Sequence, residues 1–95
     1  MNDFNTIINA VAKAADLSSY QILCKRRFQE TIDAKWVAVK IMKDEGFYPS
    51  RIADLMGMTT RNVNHILYSI NVRLLSGDKC LDNILERSRR YLGNS

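Results

Sequence analysis

Histidine occurs once in this chain of 95 residues, proline once and cysteine twice, and that scarcity excludes more chemistry than any motif suggests. With His65 alone and set among Val63, Asn64 and Ile66, a histidine-based metal cluster or a histidine-paired nucleophile has no second or third partner to draw on. Cys24 and Cys80 lie far apart and form no CxxC pair, so the expectation is two free thiols, buried or half-exposed, with neither a zinc site nor a disulfide framework. No GxGxxG or phosphate-loop pattern occurs, and acids such as Asp44 and Glu45 read as solvent-facing helix residues. Catalysis, cofactors, metals and a small-molecule substrate are therefore not expected. No apolar run reaches the roughly 18 residues of a membrane span, and MNDFNT lacks the basic-then-apolar pattern of a secretory signal. A cytoplasmic protein without a membrane partner is the expectation.

What is present is ordinary globular material with a basic bias. Hydrophobic residues make up 46% and charged residues 25%, which suits one folded domain over residues 1–95 and argues against disorder. A net charge of +4 and a pI near 9.3 favour an anionic partner.

Helical periodicity runs through the chain. Phe4, Ile7, Ile8 and Val11 share a face within residues 4–15, with Asp3 as cap and Asn5, Asn9 and Lys13 pointing elsewhere. Asp16 and Leu17 break that pattern. Ser18 and Gln21 then have the spacing of a capping box, starting a short helix, SYQILC, whose Tyr20, Ile22 and Leu23 are expected to pack inward. The basic run Lys25, Arg26 and Arg27 follows in what reads as a loop; taken alone it is a solvated surface. In TIDAKWVAVKIMKDEG, Ile32, Trp36, Val39 and Met42 form a stripe that Val37, Ala38 and Ile41 widen. This is expected to be the central helix, with Thr31 as cap, Asp33 in the first turn, Trp36 as a core anchor and Gly46 at its end.

Residues 49–76 carry helix-turn-helix grammar. Pro49 fits a first helical turn, Ile52, Leu55 and Met56 form an inward triplet, and Gly57 permits a turn. Thr59 can cap the next helix, along which Val63, Ile66, Leu67, Ile70 and Leu74 recur at helical spacing, leaving Arg61, Asn62, His65, Tyr68 and Ser69 on other faces. A last amphipathic helix, KCLDNILERSRRYL, uses Leu81, Ile84, Leu85 and Leu92, and its Arg87, Arg89 and Arg90 suit the helix dipole better than a DNA role. No strand alternation or internal repeat competes, so the expected fold is all-α, a bundle of about six helices containing a helix-turn-helix.

Double-stranded DNA binding needs phosphate neutralisation and an edge that reads bases, and the start of the second helix offers the latter. Arg61 can pair bidentately with guanine and Asn62 with adenine, while Thr59 or Thr60 can meet a thymine methyl or a phosphate. The competing reading is that these residues do no more than cap.

The order of features over about residues 4–92 resembles the C-terminal DNA-binding domain of the bacterial replication initiator DnaA, a Trp repressor-like helical fold. The segments that carry the resemblance are IINAVAKAADLSSYQILCKRR, DAKWVAVKIMKDEG, SRIADLMG and RNVNHILYSI. It implies that Lys25, Arg26 and Arg27 form a basic loop entering the minor groove, and that Lys35 and Lys43 contact phosphate. It also implies a phosphate at the helix start bearing Pro49 and Ser50, and a phosphate-contacting role for His65, with Val63 seating the recognition helix. Where the family reads GRDHTTV, this chain has Gly57, Met58, Thr59, Thr60, Arg61, Asn62 and Val63, so an altered sequence preference is expected. The family's ATP-binding engine is missing, and a free-standing, divergent monomer acting in replication initiation or transcription is the expectation. A helical protein-interaction module that keeps the fold without binding DNA, with Phe47, Tyr48 and Tyr68 exposed, is the alternative.

Overall fold

A computed structural model describes residues 2–23 and 29–93, with the side chains of residues 29 and 30 left aside. Six helices follow in order: α1 (Phe4–Ala14), α2 (Ser19–Leu23), α3 (Gln29–Asp44), α4 (Pro49–Met56), α5 (Thr60–Leu75) and α6 (Lys79–Tyr91). No strand occurs among the described residues. The fold is the expected all-α bundle, and α3 is its central helix, touching each of the other five.

The helix starts follow from side chains that satisfy backbone donors left over at a first turn. Asp3 accepts from the amide of Thr6 at 2.8 Å. Ser18 and Gln21 form a reciprocal capping box, the Gln21 amide donating to Ser18 Oγ at 3.1 Å and the Ser18 amide to Gln21 Oε1 at 2.8 Å. Thr59 Oγ1 accepts from the Asn62 amide at 3.1 Å, and Asp78 Oδ1 from the Leu81 amide at 3.0 Å. Each such cap contributes on the order of 1 kcal/mol.

The ends share one device, an amide reaching back five residues to a carbonyl: Leu17 to Ala12, Phe47 to Met42, Met58 to Ala53 and Asp78 to Arg73. This closure needs a left-handed residue. Gly57 supplies it after α4, at φ 67 and ψ 38, but after α1 the position falls to Asp16, at φ 58. Aspartate tolerates that region better than most side chains, so the sequence break at Asp16 is a helix stop made without glycine. At Gly57 an added Cβ would meet nothing within 4 Å, so the cost of a side chain there is conformational only. Gly57→Ala is expected to lower stability by about 1 kcal/mol and Gly57→Asn by less, measured by thermal denaturation.

The core is aliphatic: Ile7, Ile8 and Val11 of α1, Ile22 of α2, and Val37, Val39 and Met42 of α3 meet Ile52, Val63, Ile70 and Leu81 from the remaining helices, all almost fully buried. Several expectations need correction. Of the α2 residues only Ile22 packs inward, because Tyr20 is 77% and Leu23 41% exposed; a helix of barely more than one turn can turn one face to α1 and α3. Thr31 does not cap α3, which starts at Gln29; Thr31 is buried inside the first turns instead. Leu55, Ile32 and Trp36 are only partly buried, with Trp36 packed against the core margin. Cys80 is free and exposed, and Cys24 lies outside the described residues.

Asp33 was expected to serve the dipole of α3 and does something more specific. It is buried and pairs with Arg73 Nη1 at 3.1 Å. Arg73 also donates to Asp78 Oδ2 from Nε at 3.0 Å and Nη2 at 2.8 Å, and its guanidinium lies over the Trp36 ring, 5.1 Å from the centroid. One arginine thus joins α3, α5 and the cap of α6. Burial works against its charge, but the hydrogen bonds it donates to Asp78 and Asp33 outweigh that and raise its pKa further. The Leu81 amide and then the Arg73 guanidinium hold the Asp78 carboxyl below the usual carboxylate range. Sequence periodicity assigned Arg73 no role, since forty residues separate it from Asp33.

Candidate nucleic-acid interface

The helix-turn-helix of residues 49–76 forms as α4, a turn over residues 57–59 and α5. Its buried stripe is Ile52, Ala53 and Met56 from α4 with Val63, Ile66 and Ile70 from α5. Burying Val63 and Ile66 fixes the rotation of α5 and turns Thr60, Arg61, Asn62, Asn64 and His65 to solvent. The polar start of α5 is therefore an outward-facing surface, whichever partner it meets.

Within that surface the roles differ. Thr59 is the N-cap of α5, so its oxygen is engaged with the Asn62 amide and its hydroxyl hydrogen remains available. The Asn62 carboxamide makes one weak contact, from Nδ2 to Met58 Sδ at 3.8 Å. The Arg61 side chain is exposed and makes no hydrogen bond or ion pair among the described residues. Arg89 and Arg90 of α6 instead pair with Asp44 and Glu86, at 3.1 and 2.8 Å, on the surface.

A groove of about 530 Å³ runs beside the start of α5. Lys35, Asn62 and His65 line it together with Trp36, Met56 and Met58, so three candidates separated by up to thirty residues in sequence share one cleft. Leu23 also lines the groove and is the last described residue before the basic run. Lys25, Arg26 and Arg27 themselves lie outside the described residues. Lys43 is exposed on the last turn of α3, away from the groove lining.

Helix α4 begins with Pro49 after Tyr48, whose side chain makes no capping bond. Pro49 is half-buried, while Ser50 and Arg51 are exposed, and the N-cap side chain accepts from none of the first-turn amides. A helix start in this state favours an anion through its dipole and its donors. Asp54 shares the outward face one turn later and counts against a highly charged partner along the whole helix.

Among the described residues no group of three or more His, Cys, Asp or Glu side chains could hold a metal ion, and no helix is long and apolar enough to cross a membrane. No buried side-chain nitrogen or oxygen of the described residues lacks a partner. No protein-family model matches the chain, and no curated protein matches it.

Proposed function

We propose that this protein binds double-stranded DNA, laying the start of α5 in the major groove, with Thr59, Thr60, Arg61 and Asn62 toward base edges. The observation that carries the reading is the outward polar cluster at the start of the second helix of a helix-turn-helix, with Arg61 unengaged by any acid. Arg73, Arg89 and Arg90 each meet a carboxylate within the bundle, whereas the Arg61 side chain, like those of Arg51 and Arg87, meets none among the described residues and would be open to an external acceptor. Phosphates would be met by the uncapped start of α4 at Pro49 and Ser50, by Lys35 and His65 along the groove, and by Lys43. The basic run Lys25, Arg26 and Arg27 would add the minor-groove contact that the resemblance to the DnaA C-terminal domain implies. That resemblance also supplies the biological setting, replication initiation or control of transcription, with a sequence preference altered by the residues at 59–62.

The reading is tested by fluorescence anisotropy on labelled duplexes over a salt series. Affinity is expected to fall as salt rises, with a log–log slope of about −0.9 per neutralised phosphate, and Lys43→Ala is expected to weaken all duplexes alike and shrink that slope by about 1. Absence of binding at low salt, or binding indifferent to salt, would remove DNA as the partner.

A further inference from the structure

Met58 stands in the turn between α4 and α5, and its backbone is fixed by the helix stop: its amide donates to the Ala53 carbonyl at 3.0 Å, across the left-handed Gly57. Its side chain packs half-buried against the core and lines the groove beside Trp36 and His65. From there Met58 Sδ meets Asn62 Nδ2 at 3.8 Å. Asn62 is thus held at two points, its backbone amide by the Thr59 cap at 3.1 Å and its carboxamide by the sulfur.

We infer that Met58 is a positioning residue for base reading: its sulfur turns the Asn62 carboxamide so that the side chain accepts adenine and rejects guanine, a role that rests on the DNA reading. A thioether sulfur accepts hydrogen bonds weakly and donates none, so it draws the nitrogen end of the carboxamide and offers no hydrogen to the oxygen end. Bidentate pairing with adenine uses Oδ1, which accepts from N6, and one Nδ2 hydrogen, which goes to N7. Nδ2 carries two hydrogens, and the second is left for Met58. Guanine presents acceptors at both N7 and O6. Against O6 an outward Oδ1 meets a second acceptor, and flipping the carboxamide to avoid this would set Oδ1 on the sulfur. Holding one orientation before the duplex arrives also lowers the cost of ordering the side chain on binding.

Two variants separate the acceptor from the bulk of the side chain, and both leave the backbone bond to Ala53 in place. Met58→Leu fills nearly the same volume without an acceptor, and Met58→Gln keeps an acceptor at similar reach. Site selection from a random duplex pool with the wild type and Asn62→Ala identifies the base pair that Asn62 reads, and duplexes carrying A·T or G·C there are then compared by competition. Met58→Leu is expected to reduce the preference for adenine over guanine roughly two- to fivefold, the low end for a neutral hydrogen bond, with the salt slope unchanged, whereas Met58→Gln should retain the preference. In the free protein, nitrogen relaxation should show the Asn62 carboxamide more ordered than that of exposed Asn64, with the difference lost in Met58→Leu. A preference that Met58→Leu leaves intact, an equal loss on every duplex, a base pair other than A·T at the Asn62 position, or an Asn62 carboxamide as mobile as that of Asn64 would overturn the inference while the DNA reading stands. A wild type that binds no duplex would remove both.

Discussion

Replacing Arg73 with alanine is expected to lower the stability of the fold by about 3 kcal/mol, the low end for breaking a buried ion pair. The low end applies because the Arg73 side chain retains 28% exposure while Asp33 keeps 9%. The loss has three physical parts: Asp33 keeps its burial but loses the cation facing it, Asp78 loses two donors while still capping α6, and the Trp36 face loses its stacked guanidinium. A chain of this length has on the order of 5–14 kcal/mol in total, so the variant should melt roughly 12–24 °C lower. Arg73→Lys should recover part of this through charge alone, since an ammonium cannot reproduce the forked contacts. A calorimetric or circular-dichroism melt checks both. The pH dependence has a definite sign: the lowered pKa of Asp78 means its contribution is complete above the ordinary carboxylate value of 3.8 and fades as pH falls below it. A melt in which Arg73→Ala costs less than about 1 kcal/mol would mean the cluster is an ordinary surface ion pair.

Arg61→Ala has the largest expected effect on binding, a loss of roughly 1–3 kcal/mol concentrated on particular base pairs, with relaxed preference there. The fold should be untouched, because the Arg61 side chain is exposed and bonded to none of the described residues. Selection of bound sites from a random duplex pool, performed with both proteins, reads the effect directly: the variant should lose information at specific positions of the wild-type site. If Arg61→Ala weakens every duplex alike, as Lys43→Ala is expected to do, Arg61 contacts phosphate and base reading must lie with Asn62 and Thr60.

Much of this fold could be read from the sequence because its determinants are local. Caps such as Asp3, the Ser18 and Gln21 box, Thr59 and Gly57 act over three to five residues, and the apolar periodicity of α1, α4, α5 and α6 fixes which face turns inward. The errors fall where longer-range packing decides. Thr31 has the composition of a cap, but α3 starts earlier at Gln29, and the threonine becomes an interior residue. Tyr20 and Leu23 look inward on pattern, yet a helix as short as α2 has one buried face and Ile22 fills it. Arg73 was invisible as a keystone because its partner on α3 is met only through tertiary packing. The candidate site was legible as a set of residue types at the start of α5; that Lys35, Asn62 and His65 share a groove, and that the same helix continues as a bare apolar strip, emerges only once α5 is docked with its rotation fixed.

We propose above that duplex DNA lies against the starts of α4 and α5. Titration of isotope-labelled protein with a short duplex, followed through the backbone amide resonances by NMR, tests it most directly. The largest shift changes are expected at residues 50–51 and 59–65, with smaller ones at Lys35 and Lys43 and none at the far end of α6. Changes confined to Tyr68, Val72 and Leu75, or spread evenly over the basic surface of α6, would contradict it.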